Sequence, residues 1–223
     1  MRRWVTWNPQ EGAPPDEPGL LVLVDDFIGV QDGIQPEEHR RASDFHRAVL
    51  ERMASSSSNA NGPIFVVGTR WPMMLRDYLA GYVEGGLAPC PGIVFAMRAS
   101  TQRDLVSWRW WNGLLWERKA LLLEHTGPMD LSELLALHPG LWKPLPDEER
   151  PKLDWIVARQ NPDPRSQRLT GGQWNDWLGQ AAAAGIPIEL IGGGTCPARV
   201  GRPPWAAWCS ATTSPGEEGL HAG

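Results

Sequence analysis

A short apolar run that ends in two carboxylates constrains this chain more than any other feature. Residues 20–24, LLVLV, are uncharged and branched, and Asp25 and Asp26 follow at once. Continuous apolar runs of this length are typical of a central strand in a parallel sheet, where both faces are covered. Ligands of such sheets bind beyond the carboxyl ends of the strands, so the two aspartates are predicted to stand at a functional edge.

Helices and strands alternate after this run. Phe45, Val49 and Met53 recur at helical spacing and predict an amphipathic helix, and Pro72 suits the first position of another. The elements predicted next are, in order, a helix over 36–53, a strand over 63–68, a helix over 73–83 and a strand over 93–97. This alternation predicts the α/β fold class, a parallel sheet with crossover helices.

The pattern is weaker beyond residue 100, where tryptophan, proline and glycine are frequent. A leucine-rich helix is predicted near 129–138 and another helix across 173–184. The organisation predicted from these shifts is an irregular lead-in over 1–18, a partial α/β domain over 19–100, a linker and helical region over 101–190 and a disordered tail over 191–223.

Composition narrows the function classes. The formal net charge of -5 excludes a globally basic nucleic-acid coat. No apolar run is long enough to cross a bilayer and no signal-peptide pattern follows Met1, so a cytoplasmic protein without membrane contact is expected. Three widely spaced cysteines, Cys90, Cys196 and Cys209, argue against a disulfide framework or a CxxC metal site.

Two neighbouring strand ends carry residues suited to phosphate chemistry. In P-loop NTPases the acid at the end of a buried strand reaches the shell of the Mg²⁺ ion, and the next residue can orient the attacking water. The strand over 63–68 ends in Gly68, Thr69 and Arg70, and a small residue, a hydroxyl and an arginine can sense a γ-phosphate. The alternative is a strand that meets a tight turn, with Arg70 on the surface.

The order of these segments resembles the ATPase domain of large terminase subunits, the motors that package DNA into tailed bacteriophage heads. VLVDD, a helix ending in LERM, FVVGTRW and LRDYLAG stand in that family's order. Asp26 and Gly68 are 42 positions apart (68 minus 26), the span of one helical crossover with a long loop. The likeness is fainter over 114–125 and 154–164.

The resemblance implies a P-loop NTPase-like sheet, of which residues 19–100 are the C-terminal part. It implies that Asp25 is the metal-shell acid, that Asp26 is the catalytic acid, and that residues 68–70 form the segment that couples ATP hydrolysis to DNA movement. It also implies Mg²⁺ and ATP as cofactors, and double-stranded DNA, the portal and the small terminase subunit as partners. A homo-oligomer in the cytoplasm of a bacterial host fits the same family.

Two departures from the family pattern limit what this chain is expected to do. No GxxxxGK[ST] loop precedes Asp25, although ATP hydrolysis needs its lysine and backbone N–H groups. After Gln173 the only acids are Asp176, Glu189, Glu217 and Glu218, so no nuclease residues are assigned. The expectation is a truncated terminase-like chain that does not hydrolyse ATP alone.

Two other functions stay open at this point. A phosphoribosyltransferase also places two acids at a strand end, but its phosphate loop would be FIGVQDG (27–33), in which Asp32 repels phosphate. The other alternative is a non-enzymatic interaction protein. Arginines interleave with tryptophans over 103–118, for which core packing is favoured over nucleic-acid stacking. His39 and His46 share a helix face that is predicted to be solvated.

Overall fold

The structure is a computed structural model that describes residues 2–24, 36–58, 61–84, 90–108, 111, 114, 116, 118–125, 128–137, 153–160, 169–191 and 199–200. Its strands are β1 (Arg3–Trp7), β2 (Leu20–Val24), β3 (Ile64–Thr69), β4 (Ile93–Ala99), β5 (Lys119–His125), β6 (Trp155–Gln160), β7 (Ile188–Ile191) and β8 (Arg199–Val200). Its helices are α1 (Pro36–Ser56), α2 (Pro72–Glu84), α3 (Gln102–Leu105) and α4 (Gly171–Ala184).

All described strands belong to one sheet, and their spatial order is the order of the chain. β1 to β7 are parallel to their neighbours, and β8 pairs with β7 in the antiparallel sense. The prediction of an α/β fold with a parallel sheet and crossover helices is therefore confirmed. All seven parallel strands end at the same side of the sheet, which we call the carboxyl edge.

The two faces of the sheet are covered in different ways. The outer face, to which Val22 and Val24 belong, packs against buried residues of α1, α2 and α4 in one apolar core. The inner face, to which Leu21 and Leu23 belong, forms a second core. In the part of the chain that the structure describes, the buried members of that second core all come from strands: Leu21, Leu23, Ile64, Val66, Val94, Ala96, Ala120, Leu122, Trp155 and Val157.

The sequential strand order explains why the helices that the structure describes pack on the outer face. Right-handed crossovers that always advance in one direction place every helix on the same side of the sheet. The other side must then be covered by the sheet itself, which curls. Accordingly, Trp4 of β1 stacks on Trp155 of β6 with ring centroids 5.5 Å apart. The Trp4 indole N–H also donates to Glu189 of β7 at 3.0 Å.

Three predicted irregular segments contain strands of this sheet. The lead-in over 1–18 contains β1. Its residues, RWVTW, alternate between the two faces of the sheet and pair with β2, and Trp7 is buried in the outer-face core. The predicted linker and helical region over 101–190 contains β5, β6 and the first three residues of β7, and the end of β7 and all of β8 lie in the predicted disordered tail over 191–223. Within the region over 101–190, the helix predicted across 173–184 is confirmed as α4, which starts at a Thr170 cap and ends at Gly185 with φ 71°.

The helix predicted near 129–138 is wrong. The Leu135 N–H donates to the Leu131 carbonyl at 2.8 Å, which makes one helical turn. Ala136 then takes a positive φ of 50°, and the helix cannot continue through that left-handed conformation. The leucines of this stretch are buried because the turn folds onto the outer-face core.

The predicted apolar face of α1 is also shifted. Val49 and Met53 are buried as expected, but Phe45 is 37% exposed and His46 is 8% exposed. His46 packs edge-on against Tyr78 of α2, with ring centroids 5.4 Å apart. The prediction that His46 lies on a solvated face is therefore wrong. Among the helices described, none has both the length and the apolar character that crossing a bilayer requires.

Candidate functional site

Charged residues gather where the inner face reaches the carboxyl edge. Arg98, Glu124 and Arg159 continue the apolar alternation of β4, β5 and β6, so their side chains leave the sheet on the inner face. In register, Glu124 lies beside Arg159 and Arg98 lies beside Leu122. On the inner face, the row of side chains along each of these three adjacent strands therefore ends in a charged residue.

Glu124 is the centre of these contacts. Arg98 donates two hydrogen bonds to its carboxylate, from Nε to Oε2 at 2.9 Å and from Nη2 to Oε1 at 3.0 Å. Arg159 donates from Nε to the same Oε1. The Glu124 side chain is 1% exposed, and those of Arg98 and Arg159 are 9% and 11% exposed. Paired, planar geometry of this kind makes charge-assisted hydrogen bonds strong.

Arg70 joins the group from the turn that follows β3. Its Nη2 lies 3.6 Å from Glu124 Oε2 and donates to the Ser100 hydroxyl at 3.2 Å. Its side chain is 53% exposed, so Arg70 reaches from the buried carboxylate to solvent. We call Arg70, Arg98, Glu124 and Arg159 the arginine cluster.

The arginine cluster brings three guanidinium groups around one carboxylate. Its buried members, Arg98 and Glu124, are held by charge-assisted hydrogen bonds. Arg70 is the member whose guanidinium reaches solvent, where it can meet an anion.

The residues predicted at the end of β3 divide between the two faces. Gly68 lies on the inner face, where an added Cβ would stand 3.1 Å from Arg98 Cδ and 3.1 Å from Leu122 Cδ2. The glycine therefore leaves room for the Arg98 side chain, which would have to shift slightly to accept a Cβ at this position. Thr69 is on the outer face and 2% exposed, and its hydroxyl accepts the Trp71 N–H at 3.0 Å. Thus Gly68 and Arg70 belong at the cluster, and Thr69 fixes the turn that presents Arg70.

Asp25 and Asp26 lie outside the described residues, and so does the FIGVQDG loop of the phosphoribosyltransferase alternative. They follow Val24, the last residue of β2, which pairs with β3. Within the described ranges, no three His, Cys, Asp or Glu side chains come close enough together to hold a metal ion. The one carboxylate of the arginine cluster is engaged by arginines, so the described part of this edge suits an anion rather than Mg²⁺.

Sequence reasoning missed Arg98, Glu124 and Arg159. The signal that could have found them is a period of two, because each is the third member of an alternating inner row. The rows are Val94, Ala96, Arg98; Ala120, Leu122, Glu124; and Trp155, Val157, Arg159. A charge that ends such a row in three strands indicates a shared ionic site.

The tryptophans near residue 110 serve packing where the structure describes them. Trp111 and Trp116 are 4% and 5% exposed and belong to the outer-face core. The Trp116 indole N–H donates to the Ile93 carbonyl at 2.9 Å. For these two residues the favoured prediction of core packing is confirmed. Trp110 and Arg109 lie outside the described residues.

Comparison with protein-family models, with curated proteins and with solved structures finds no match to this chain. The function must therefore be argued from the arginine cluster itself.

Proposed function

We propose that this protein binds a phosphate-bearing ligand at the carboxyl edge of its sheet, with the arginine cluster as the anion site. The observation that carries the proposal is the convergence of three arginines at the carboxyl edge, one of which, Arg70, has its guanidinium exposed to solvent. Guanidinium groups match phosphate oxygens in pairs. The carboxyl ends of parallel strands are also where such sheets bind their ligands.

The buried and the exposed arginines of the cluster have different roles in the proposed site. Glu124 orients the buried Arg98 and Arg159 and keeps them from repelling each other. Arg70 has its guanidinium at the boundary with solvent and is the residue that an incoming phosphate meets. This role for Arg70 agrees with the phosphate-sensing role that the residue types at the end of β3 predict.

The resemblance makes the proposal more specific. In this form the ligand is ATP with Mg²⁺, Asp25 holds the metal and Asp26 acts on the attacking water. The chain then serves ATP-driven packaging of viral DNA with a P-loop NTPase-like sheet, alongside a portal and a small terminase subunit. The 24 residues before Asp25 hold no GxxxxGK[ST] motif, so this form of the proposal takes the phosphate loop from outside residues 1–223, as from a partner chain.

Thermal unfolding with added anions tests the anion site. We expect sodium tripolyphosphate, and ATP with Mg²⁺, to raise the unfolding temperature above that in sodium chloride of equal ionic strength. A ligand at 100 times its Kd stabilises by about 2.7 kcal/mol. Phosphoribosyl pyrophosphate is the third ligand, and stabilisation by it alone would favour the phosphoribosyltransferase alternative.

Two arginine variants distinguish the cluster from general attraction of anions. Arg70→Gln should weaken tripolyphosphate binding about tenfold, since it removes one charge-assisted contact. The matched control is Arg52→Gln, at an exposed arginine near the end of α1, which should bind as the wild type does. Equal loss in both variants, or no stabilisation of the wild type, would refute the anion site. ATP turnover by the purified chain that disappears in Asp26→Asn would contradict the need for a partner.

A further inference from the structure

A cavity lined by residues other than those of the arginine cluster differs from that cluster in chemistry. It is a cavity of about 390 Å³ between α3 with its following turn and the segment 128–137. These two segments follow β4 and β5, so the cavity opens at the carboxyl side of the sheet. Leu105, Trp108 and Leu134 form its apolar part, and a volume of this size suits a small ligand.

Both walls of the cavity are fixed by hydrogen bonds. The Gln102 side chain makes two bonds to the backbone of Asp130, donating to its carbonyl at 3.1 Å and accepting its N–H at 2.7 Å. On the far side, Gln180 of α4 accepts the Leu131 N–H at 2.7 Å. The Trp177 indole N–H also donates to the Met129 carbonyl at 3.0 Å. A cavity with fixed walls loses little free energy to ordering when a ligand enters.

The rim of the cavity carries opposite charges on its two walls. Arg103 stands on the α3 wall, and Asp130 and Glu133 stand on the facing wall. All three side chains are on exposed residues, and no ion pair within 4 Å joins Arg103 to either acid in the part of the chain that the structure describes. The two negative charges also make this rim unsuitable for phosphate, in contrast to the arginine cluster.

We propose that the cavity binds a free α-amino acid with an apolar side chain. The side chain occupies the apolar part against Leu105, Trp108 and Leu134. The ligand carboxylate meets the Arg103 guanidinium, and its ammonium group meets the carboxylates of Asp130 and Glu133. This occupant uses every charged group of the rim with the matching sign. The proposal does not depend on phosphate binding at the arginine cluster.

Isothermal titration of the full chain with L-leucine and L-phenylalanine tests the site. Two analogues of leucine remove one charge each: isoamylamine lacks the carboxylate and N-acetyl-L-leucine lacks the ammonium group. Each is expected to bind about fivefold more weakly than leucine, the effect of one half-exposed ion pair. No binding of either amino acid at about ten millimolar, the weak end for a small ligand, would overturn the proposal. Tighter binding of the peptide Leu-Gly-Gly than of leucine would also overturn it.

Variants that remove one rim charge test which residue binds the carboxylate of the ligand and which binds its ammonium group. Arg103→Gln should weaken leucine about fivefold and leave isoamylamine unchanged, because only the first has a carboxylate. Glu133→Gln should weaken leucine and isoamylamine and leave N-acetyl-L-leucine unchanged. Glu51→Gln, at an exposed acid of α1, is the control and should bind all three ligands as the wild type does. The opposite pattern in the two rim variants, or no change in either, would contradict the assignment.

Discussion

The inner and outer faces of the sheet are built from the same strands, yet among the described residues the ionic cluster lies on the inner face. Leu123 and Glu124 are neighbours in β5, and both are almost completely buried. Leu123 packs outward into the core that the helices cover. Glu124 points inward, where the side chains come from strands, and holds the guanidinium groups of Arg98 and Arg159.

This difference follows from how each face is covered. Helices that lie across the outer face demand apolar side chains along the whole strand. The inner face is covered by the curl of the sheet, which leaves its carboxyl end open toward solvent at Arg70. Arg70 stays in contact with solvent at that end, whereas Glu124 and Arg98 are buried and stabilised by their pairing. The apolar side chains of the outer face thus follow the helices, and the ionic side chains lie on the face that the sheet itself covers.

The largest effect is expected when the central carboxylate is removed. Glu124→Gln removes the buried carboxylate that Arg98 and Arg159 share and should destabilise by about 3–5 kcal/mol. The matched change on the outer face, Leu123→Ala, creates a cavity and should cost a similar amount, about 2–5 kcal/mol. The free energy of unfolding in urea measures both.

Added phosphate should affect the stability of the two β5 variants differently. Phosphate at the ionic strength of the chloride buffer should recover part of the stability of Glu124→Gln, because an anion replaces the lost carboxylate. Leu123→Ala should gain no more from phosphate than the wild type gains. If Glu124→Gln costs less than about 1 kcal/mol, the arginine cluster is not the ionic centre of the inner face.

A smaller effect is expected from crowding the same end of the inner face. Gly68→Ala places a Cβ 3.1 Å from Arg98 Cδ and Leu122 Cδ2, so Arg98 must shift. Overpacking of this kind costs about 1–3 kcal/mol. Gly172→Ala in α4 is the control, since the nearest atom to its added Cβ is 3.9 Å away, and it should be neutral or slightly stabilising. A neutral Gly68→Ala that nevertheless loses anion binding would favour a coupling role for Gly68 over a packing role.

Much of the fold could be predicted because its first half has strong periodicity. The runs that became β2, β3 and β4 are continuous and apolar, and α1 and α2 are amphipathic between them. β1 was missed because its five residues lie between prolines and a charged end, and its pairing with β2 is not a local property. β5 and β6 were assigned to a linker region because the proline-rich stretch over 139–151 dominates the composition there.

Only part of the candidate site could be predicted, because most of its residues are far apart in the sequence. Arg70 was identified because it stands next to a strand end in the sequence. Arg98, Glu124 and Arg159 come from three strands, and only the parallel register brings them together. A site built from several strands depends on the order of those strands in the sheet. One sequence gives the order of the strands along the chain but not their order in the sheet. The metal and catalytic roles of Asp25 and Asp26 stay predictions.

The smallest of these effects tests how the curl of the sheet closes. Trp4→Phe keeps an aromatic ring against Trp155 but removes the indole N–H that Glu189 accepts at 3.0 Å. Loss of one hydrogen bond to a buried carboxylate should cost about 1–2 kcal/mol in the free energy of unfolding. Glu189→Gln in both backgrounds completes a double-mutant cycle, and a coupling energy of at least about 0.5 kcal/mol is expected from a direct contact. A coupling energy near zero would mean that Trp4 of β1 and Glu189 of β7 do not interact across the inner face. That result would contradict closure of this face by the curl of the sheet.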